Sequence, residues 1–343
     1  MHTLIIRPGA IGDSLLTLAV IQRLREQDTQ PHVTLVGNAA ILPLAQAFGL
    51  AEAVENYDAP VWSELFSSEG IKAPRLQSLL RQTERAICWL SDPDGLVRQN
   101  LLAAGIPSII VTPSRPPQEK QHLHRVVYMA ETVGLPPVDV TAPFAPPTRI
   151  VPALPEPGGA LSLRDCAPIA VHPGSAGANK CWPPDHFRSL IDRLCARGQP
   201  VLLLAGPADH ERLATLLDAL APRYGKNLLH TLVDAPLLEV ARHLLQCKCY
   251  IGNDSGITHL AAMLGVPTVA IFGPSDPANW RPLGPTVKVV RSMPTHCMEQ
   301  LAVDTVMEAL EPFFLHRSML TLCANWIRQP DQLSEGLVGL KGS

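Results

Sequence analysis

No apolar run in the 343-residue sequence approaches the roughly 20 residues that a helix needs to cross a bilayer. No secretory leader is expected either. Met1-His2-Thr3-Leu4-Ile5-Ile6-Arg7 runs straight into a glycine turn, with no charged region, apolar region and cleavage site before it. The expectation is a cytoplasmic protein with no transmembrane segment. The eight cysteines are scattered, and no pair joins a second pair at zinc-ligand spacing, so reduced thiols and no metal are expected. Cys247 and Cys249 come nearest to a motif, but free cysteine packs as a small hydrophobe. A formal charge of −3 excludes bulk attraction to nucleic acid or to anionic membrane. Any anionic ligand must meet a local patch of cations.

What the chain does have is alternation. At 343 residues, 46% of them hydrophobic, it exceeds what one core usually supports, so two domains are expected. Leu4 to Arg7, Val33 to Val36, Ala86 to Leu90 and Ser108 to Val111 read as buried strands, while Ser14 to Arg25, Pro74 to Arg85 and Lys120 to Val133 have helical spacing. A second series places strands at Ile169 to His172, Val201 to Ala205, Tyr250 to Gly252 and Val266 to Phe272. Its helices are Pro184 to Arg197, Ala208 to Leu220, Pro236 to Leu245 and Ser255 to Leu264. Alternation of this kind builds parallel sheets covered by helices. Between the series, Leu135 to Gly159 carries eight prolines and sustains neither helix nor central strand, so it reads as a linker. The expected units are residues 1–150, residues 160–315 and a tail over 316–343, with late helices near Val303 to Phe314, closing the second unit, and Met319 to Arg328, in the tail. Two doubly wound units facing each other would bind ligand in the cleft outside their strand ends.

Three loops carry candidate chemistry. Arg7-Pro8-Gly9-Ala10-Ile11-Gly12-Asp13-Ser14 joins the first strand to the first helix, with Asp13 and Ser14 where an N-cap belongs. A capped turn accounts for its glycines, and the G-x-G-x-x-G spacing of a dinucleotide site is absent. His172 to Pro183 is rich in small residues and includes Lys180, a composition able to wrap phosphate with backbone N–H groups and one point charge. It lacks P-loop spacing. Gly252-Asn253-Asp254-Ser255-Gly256-Ile257-Thr258-His259 opens an apolar helix whose free N–H groups and positive dipole end suit a diphosphate. A strand running into Phe272-Gly273-Pro274-Ser275-Asp276-Pro277 follows.

In this order the loops resemble glycosyltransferase family 9, the heptosyltransferases of lipopolysaccharide core assembly. The resemblance rests on Gly12-Asp13, Gly174 to Pro183, Asn253 to Ala262, Phe272 to Pro277 and the segment from Cys297 onward. It implies a GT-B fold of two Rossmann-like domains, acceptor on the first and nucleotide sugar on the second, and inverting transfer with no metal or other cofactor. It makes Asp13 the general base. Ser175, Lys180, Ser255 and Gly256 become the donor phosphate site, Asp254 and His259 partners of the donor sugar, and Glu211 the acid on the ribose. Val233-Asp234-Ala235-Pro236 departs from the family pattern where nucleobase contacts are expected.

The implied donor is ADP-heptose and the implied acceptor an anionic glycolipid at the inner face of the inner membrane. Arg115, Lys120 and Arg125 follow a strand end and could meet the acceptor's carboxylates and phosphates, although a solvated helix face explains them nearly as well. Asp92-Pro93-Asp94 mimics the metal-binding D-x-D of other transferases, but Gly95 makes it a turn. Other readings are a related enzyme using another nucleotide sugar and a non-catalytic homologue that binds one.

Overall fold

The computed structural model describes residues 1–27, 32–142, 144 and 167–315. The expected helix at Met319 to Arg328, the tail over 316–343 and most of the proline linker lie outside the described residues.

The first half runs β1 (His2–Arg7), α1 (Ile11–Gln27), β2 (His32–Gly37), α2 (Leu42–Ala47), β3 (Ala53–Asn56), α3 (Pro74–Gln82), β4 (Arg85–Trp89), α4 (Leu96–Ala103), β5 (Ser108–Thr112) and α5 (Arg125–Thr132). Its five strands are all parallel, in the order β3-β2-β1-β4-β5. The second half continues with β6 (Ile169–His172), α6 (Pro184–Ala196), β7 (Val201–Ala205), α7 (His210–Leu228), β8 (Leu229–Val233), α8 (Leu237–Leu244) and β9 (Cys249–Asn253). It closes with α9 (Gly256–Met263), β10 (Thr268–Phe272), α10 (Pro277–Trp280), β11 (Val287–Arg291) and α11 (Val303–Leu315). The order of its six parallel strands is β11-β10-β9-β6-β7-β8.

Both orders contain the reversal of a doubly wound sheet, between β1 and β4 in one half and between β6 and β9 in the other. At a reversal the loops after two neighbouring strands diverge to opposite faces and leave a crevice at the strand C-termini. β1, β4, β6, β9 and β10 are central, and their continuous burial matches near-unbroken apolar sequence. One apolar cluster runs from Leu15, Leu18 and Phe48 of the first half to Leu237, Ala241 and Leu260 of the second.

Two local expectations change and one holds. The first helix starts at Ile11, so Asp13 lies inside its first turn instead of capping it, while the Ser14 hydroxyl donates to the Ala10 carbonyl at 3.0 Å. The stretch expected as one helix over Lys120 to Val133 splits into a 3₁₀ turn at Gln118–Lys120 and α5. His124 causes the break: its ring accepts the Val126 N–H at 3.3 Å, leaving Nε2 protonated to donate to the Arg281 carbonyl of the second half at 2.9 Å. Burial pulls the His124 imidazole down to about 4, consistent with a neutral ring in that role. At Asp92-Pro93-Asp94-Gly95 the turn is confirmed. Gly95 is left-handed at φ 71°, and the Asp92 carboxylate accepts the N–H groups of Val97 and Arg98 at 3.0 Å.

Candidate active site

A cavity of about 1180 Å³ lies between the halves, lined by the loops after β1, β2 and β5 on one side and after β6, β7, β8 and β9 on the other. Every one of these loops follows a strand C-terminus.

One corner is built at the start of α9. Ser255 is its N-cap, extended at φ −152°, and its oxygen accepts the Thr258 N–H. The unsatisfied N–H groups of the first turn and the positive dipole end therefore face cavity-lining Ser255 and Gly256. Lys180 enters from the loop after β6, its Nζ 2.8 Å from Asp254 Oδ2. The same oxygen accepts the Ser275 hydroxyl at 2.7 Å, and the Ser175 hydroxyl donates to the Asp254 carbonyl at 2.8 Å. Asp254 is 6% exposed, so its charge depends on these partners, whereas Lys180 remains 37% exposed toward the cavity. Asn253, fully buried, ties the same loop down: its amide donates to the Pro173 carbonyl and its oxygen accepts the Trp182 N–H, both at 2.9 Å.

Asp13 belongs to the opposite wall, its carboxylate 3.2 Å from Arg7 Nη2. Arg7 is almost fully buried; burial pushes its guanidinium down, and the Asp13 charge opposes that push. Arg115 and Arg125 line the cavity from the same half. Arg125 stacks over the Trp280 ring at 4.9 Å, while its Nε and Nη1 are buried without hydrogen-bond partners. Burial lowers the Arg125 pKa, with Asp13 opposing and Arg115 adding to the shift. His259, on α9, is 3% exposed and held below the ordinary histidine range by burial, against the pull of Asp254 and Asp13. Its Nδ1 has no partner.

The two walls approach closely. A Cβ at Gly256 would stand 2.5 Å from Ile11 Cγ2 and 2.8 Å from Ile11 Cβ, and one at Gly12 would meet the His259 ring at 3.3 Å. Gly256→Ala should therefore push the starts of α1 and α9 apart. The expected loss of stability is about 1–3 kcal/mol by overpacking, measurable by denaturant unfolding. Wild-type stability would show that the halves yield without cost.

Asp13, Ser175, Lys180, Asp254, Ser255, Gly256, His259, Arg115 and Arg125 thus surround one cavity. Glu211 and Lys120 do not. Glu211 is exposed in the first turn of α7, and the buried carboxylate facing the cavity there is Asp209, two residues earlier and so on another side of the helix start. Lys120 pairs with Glu131 at 2.9 Å outside the cavity, and that partner raises its pKa. Sequence reasoning missed His172, Asp209, Asp234, Trp280 and Ser275. Asp234 lies in the segment that departs from the family pattern, lines the cavity at φ 52°, and is held by His210 Nε2 at 2.9 Å. Cys247 and Cys249 are buried with raised thiol pKa values, Cys249 to about 12, from burial. Among the described residues no cluster of three or more His, Cys, Asp or Glu could hold a metal, and no helix is long and apolar enough to cross a membrane.

Residues 160–310 match the sequence model of glycosyltransferase family 9 (heptosyltransferase). Lipopolysaccharide heptosyltransferase 2 of Escherichia coli is 36% identical over 128 residues, which is 36% of either chain, so the match spans about a third of that relative. The structure of the E. coli ADP-heptose lipopolysaccharide heptosyltransferase II superposes with a TM-score of 0.70 at 22% identity, covering 92% of this chain and 99% of that one. E. coli heptosyltransferase WaaC with ADP superposes at 0.64 and 20% identity, covering 91% and 100%. The fold is of the GT-B type, with two Rossmann-like halves.

Proposed function

We propose, from the premise that the chain belongs to glycosyltransferase family 9 through residues 160–310, that it moves a heptosyl group from ADP-heptose to an inner-core lipopolysaccharide acceptor with inversion. The observation that carries this reading is a phosphate corner, made of Lys180 and the start of α9, facing a carboxylate, Asp13, across a single cavity. The acceptor hydroxyl attacks the anomeric carbon and gives its proton to Asp13 as the new C–O bond forms. The bond from that carbon to the diphosphate oxygen breaks on the opposite face, and ADP leaves with the electron pair. Lys180 and the N–H groups of Ser175, Ser255 and Gly256 stabilise the developing charge there, which is where preorganised donors count most.

Asp254 offers Oδ1 to a sugar hydroxyl while Oδ2 is held by Lys180 and Ser275, and His259 lines the cavity from α9. Leu204, Leu232, Leu237 and Val240 form an apolar slot for the base, with Asp234 at its edge. The ribose role is better placed on Asp234 than on exposed Glu211. Arg115 and Arg125 are free to take the acceptor's anionic groups, Lys120 being engaged elsewhere. The protein works in the cytoplasm, meeting its glycolipid acceptor at the inner face of the inner membrane.

Lys180 and the helix dipole supply the charge that a divalent cation supplies in other transferases, so transfer is expected to survive chelation by EDTA. Loss of transfer, restored by magnesium or manganese, would contradict this. The donor is tested by a thermal-shift series of ADP-, UDP- and GDP-sugars, since a ligand at 100 times its Kd stabilises by about 2.7 kcal/mol. ADP-heptose should raise the melting temperature most. A larger rise with a UDP- or GDP-sugar would mark an enzyme of another donor, its base selected by the Asp234–Pro236 wall.

A further inference from the structure

Behind the phosphate corner runs a buried hydrogen-bonded chain, Asp209–His172–Ser255–Thr258–Tyr250. His172 Nε2 lies 3.1 Å from Asp209 Oδ2, and its Nδ1 lies 3.4 Å from Ser255 Oγ. Ser255 Oγ is 3.1 Å from Thr258 Oγ1, which is 3.0 Å from the Tyr250 hydroxyl. The four side chains other than Ser255 are all buried, and His172, Asp209 and Ser255 line the cavity.

Each hydroxyl carries one proton and two lone pairs, so the direction of the chain can be worked out from one end. Thr258 Oγ1 is bonded to the Asn253 carbonyl, an acceptor only, so Thr258 spends its proton there. Tyr250 and Ser255 must then both donate to Thr258. With its proton spent, Ser255 can only accept, from the Thr258 N–H and from His172 Nδ1. Nε2 faces a carboxylate, so it too carries a proton.

We propose that His172 is a buried imidazolium, built into the cavity wall by Asp209 and oriented through Ser255, whose charge forms part of the donor diphosphate site. This rests on the donor reading above. The carboxylate is well prepared for its part. Burial works to raise the Asp209 pKa, but His172 and the Gly206 N–H at 3.0 Å outweigh it and hold the group below its usual range. The backbone makes way for it at Gly174, where a Cβ would fall 1.8 Å from Asp209 Oδ1. Arg212 of α7 acts on the same carboxylate, Tyr250 is kept neutral by burial, and Lys180 and Asp254 line the same cavity.

A serine, a histidine and an aspartate in a row also make a hydrolase triad, but there the histidine accepts the serine proton. Here the donation runs the other way, and Ser255 is a cap, not a nucleophile. The Ser255 side chain therefore serves the phosphate by fixing the helix start and relaying His172, with its backbone N–H left for the ligand.

Nitrogen-resolved NMR of labelled histidine, with His172→Gln to identify the signal, tests the charge directly. Wild type should show both ring nitrogens protonated. In Thr258→Val, nearly equal in shape, the Ser255 proton loses its acceptor and turns to His172 Nδ1, leaving a neutral ring protonated on Nε2 alone. ADP affinity, by titration calorimetry, should fall about tenfold or more in both variants, as expected for loss of a charged phosphate contact. A neutral ring in wild type, an imidazolium that persists in Thr258→Val, or unchanged affinity in His172→Gln would each overturn the inference. If wild type carries the imidazolium but binds no ADP, the donor reading fails. Inorganic pyrophosphate then decides the role of the charge: binding weakened in His172→Gln supports it, and no difference overturns it.

Discussion

Asp13→Asn is expected to lower turnover roughly 100-fold or more while leaving ADP affinity unchanged, because asparagine keeps the size of the side chain but cannot take up the acceptor proton. The position of Asp13 makes the result informative. It lies inside the first turn of α1, where no helix cap is lost by the change, and its backbone carbonyl still accepts the Thr17 hydroxyl at 3.0 Å. The variant does weaken the partnership with Arg7, a buried guanidinium with Nε already unpaired, so a modest fall in melting temperature is expected beside the large fall in rate. Single-turnover transfer and thermal unfolding, measured on the same sample, separate the two effects. Near-normal turnover would remove Asp13 from the chemistry. A collapse of the melting temperature would show that the Arg7–Asp13 pair is chiefly structural.

Lys180→Ala carries the second large effect, and it acts in two ways. A charge-assisted phosphate contact contributes about 1.5–3 kcal/mol, so donor affinity should fall by roughly 10- to 150-fold. The same change strands Asp254, 6% exposed and left with the Ser275 hydroxyl on Oδ2, so stability should fall too. Lys180→Ala combined with Asp254→Asn should recover much of the lost stability, since the stranded charge is gone, but not the lost affinity. Unchanged ADP binding in calorimetry would return Lys180 to the role of a partner for Asp254 alone.

The central sheet strands and the three cavity-lining loops were readable in the sequence, and the strands that were not share one physical feature. β3, β8 and β11 are all edge strands. Each is only partly buried, so none is written as a continuous apolar run: Ala53–Asn56 has no fully buried residue, and Leu229–Val233 alternates. The site was legible where a residue type has a local duty. Ser255 was readable as a cap and Lys180 as the cation of a small-residue loop. Residues that act through long-range pairing left no local sign. Asp209 and His172 are 37 positions apart, and Trp280 meets Arg125 from the other half of the chain. Glu211 lies outside the cavity because which of two neighbouring acids at a helix start faces it depends on where the helix begins. α7 starts at His210, which turns Asp209 to the cavity and Glu211 to solvent.

The account is tested most directly by offering the purified protein ADP-heptose together with lipopolysaccharide core lacking its heptoses and following the acceptor by mass spectrometry. It predicts an acceptor heavier by heptose in the presence of EDTA, with anomeric configuration inverted relative to the donor, and almost no product from Asp13→Asn in the same time. An acceptor that gains no heptose from ADP-heptose while gaining a sugar from a UDP- or GDP-linked donor would contradict it.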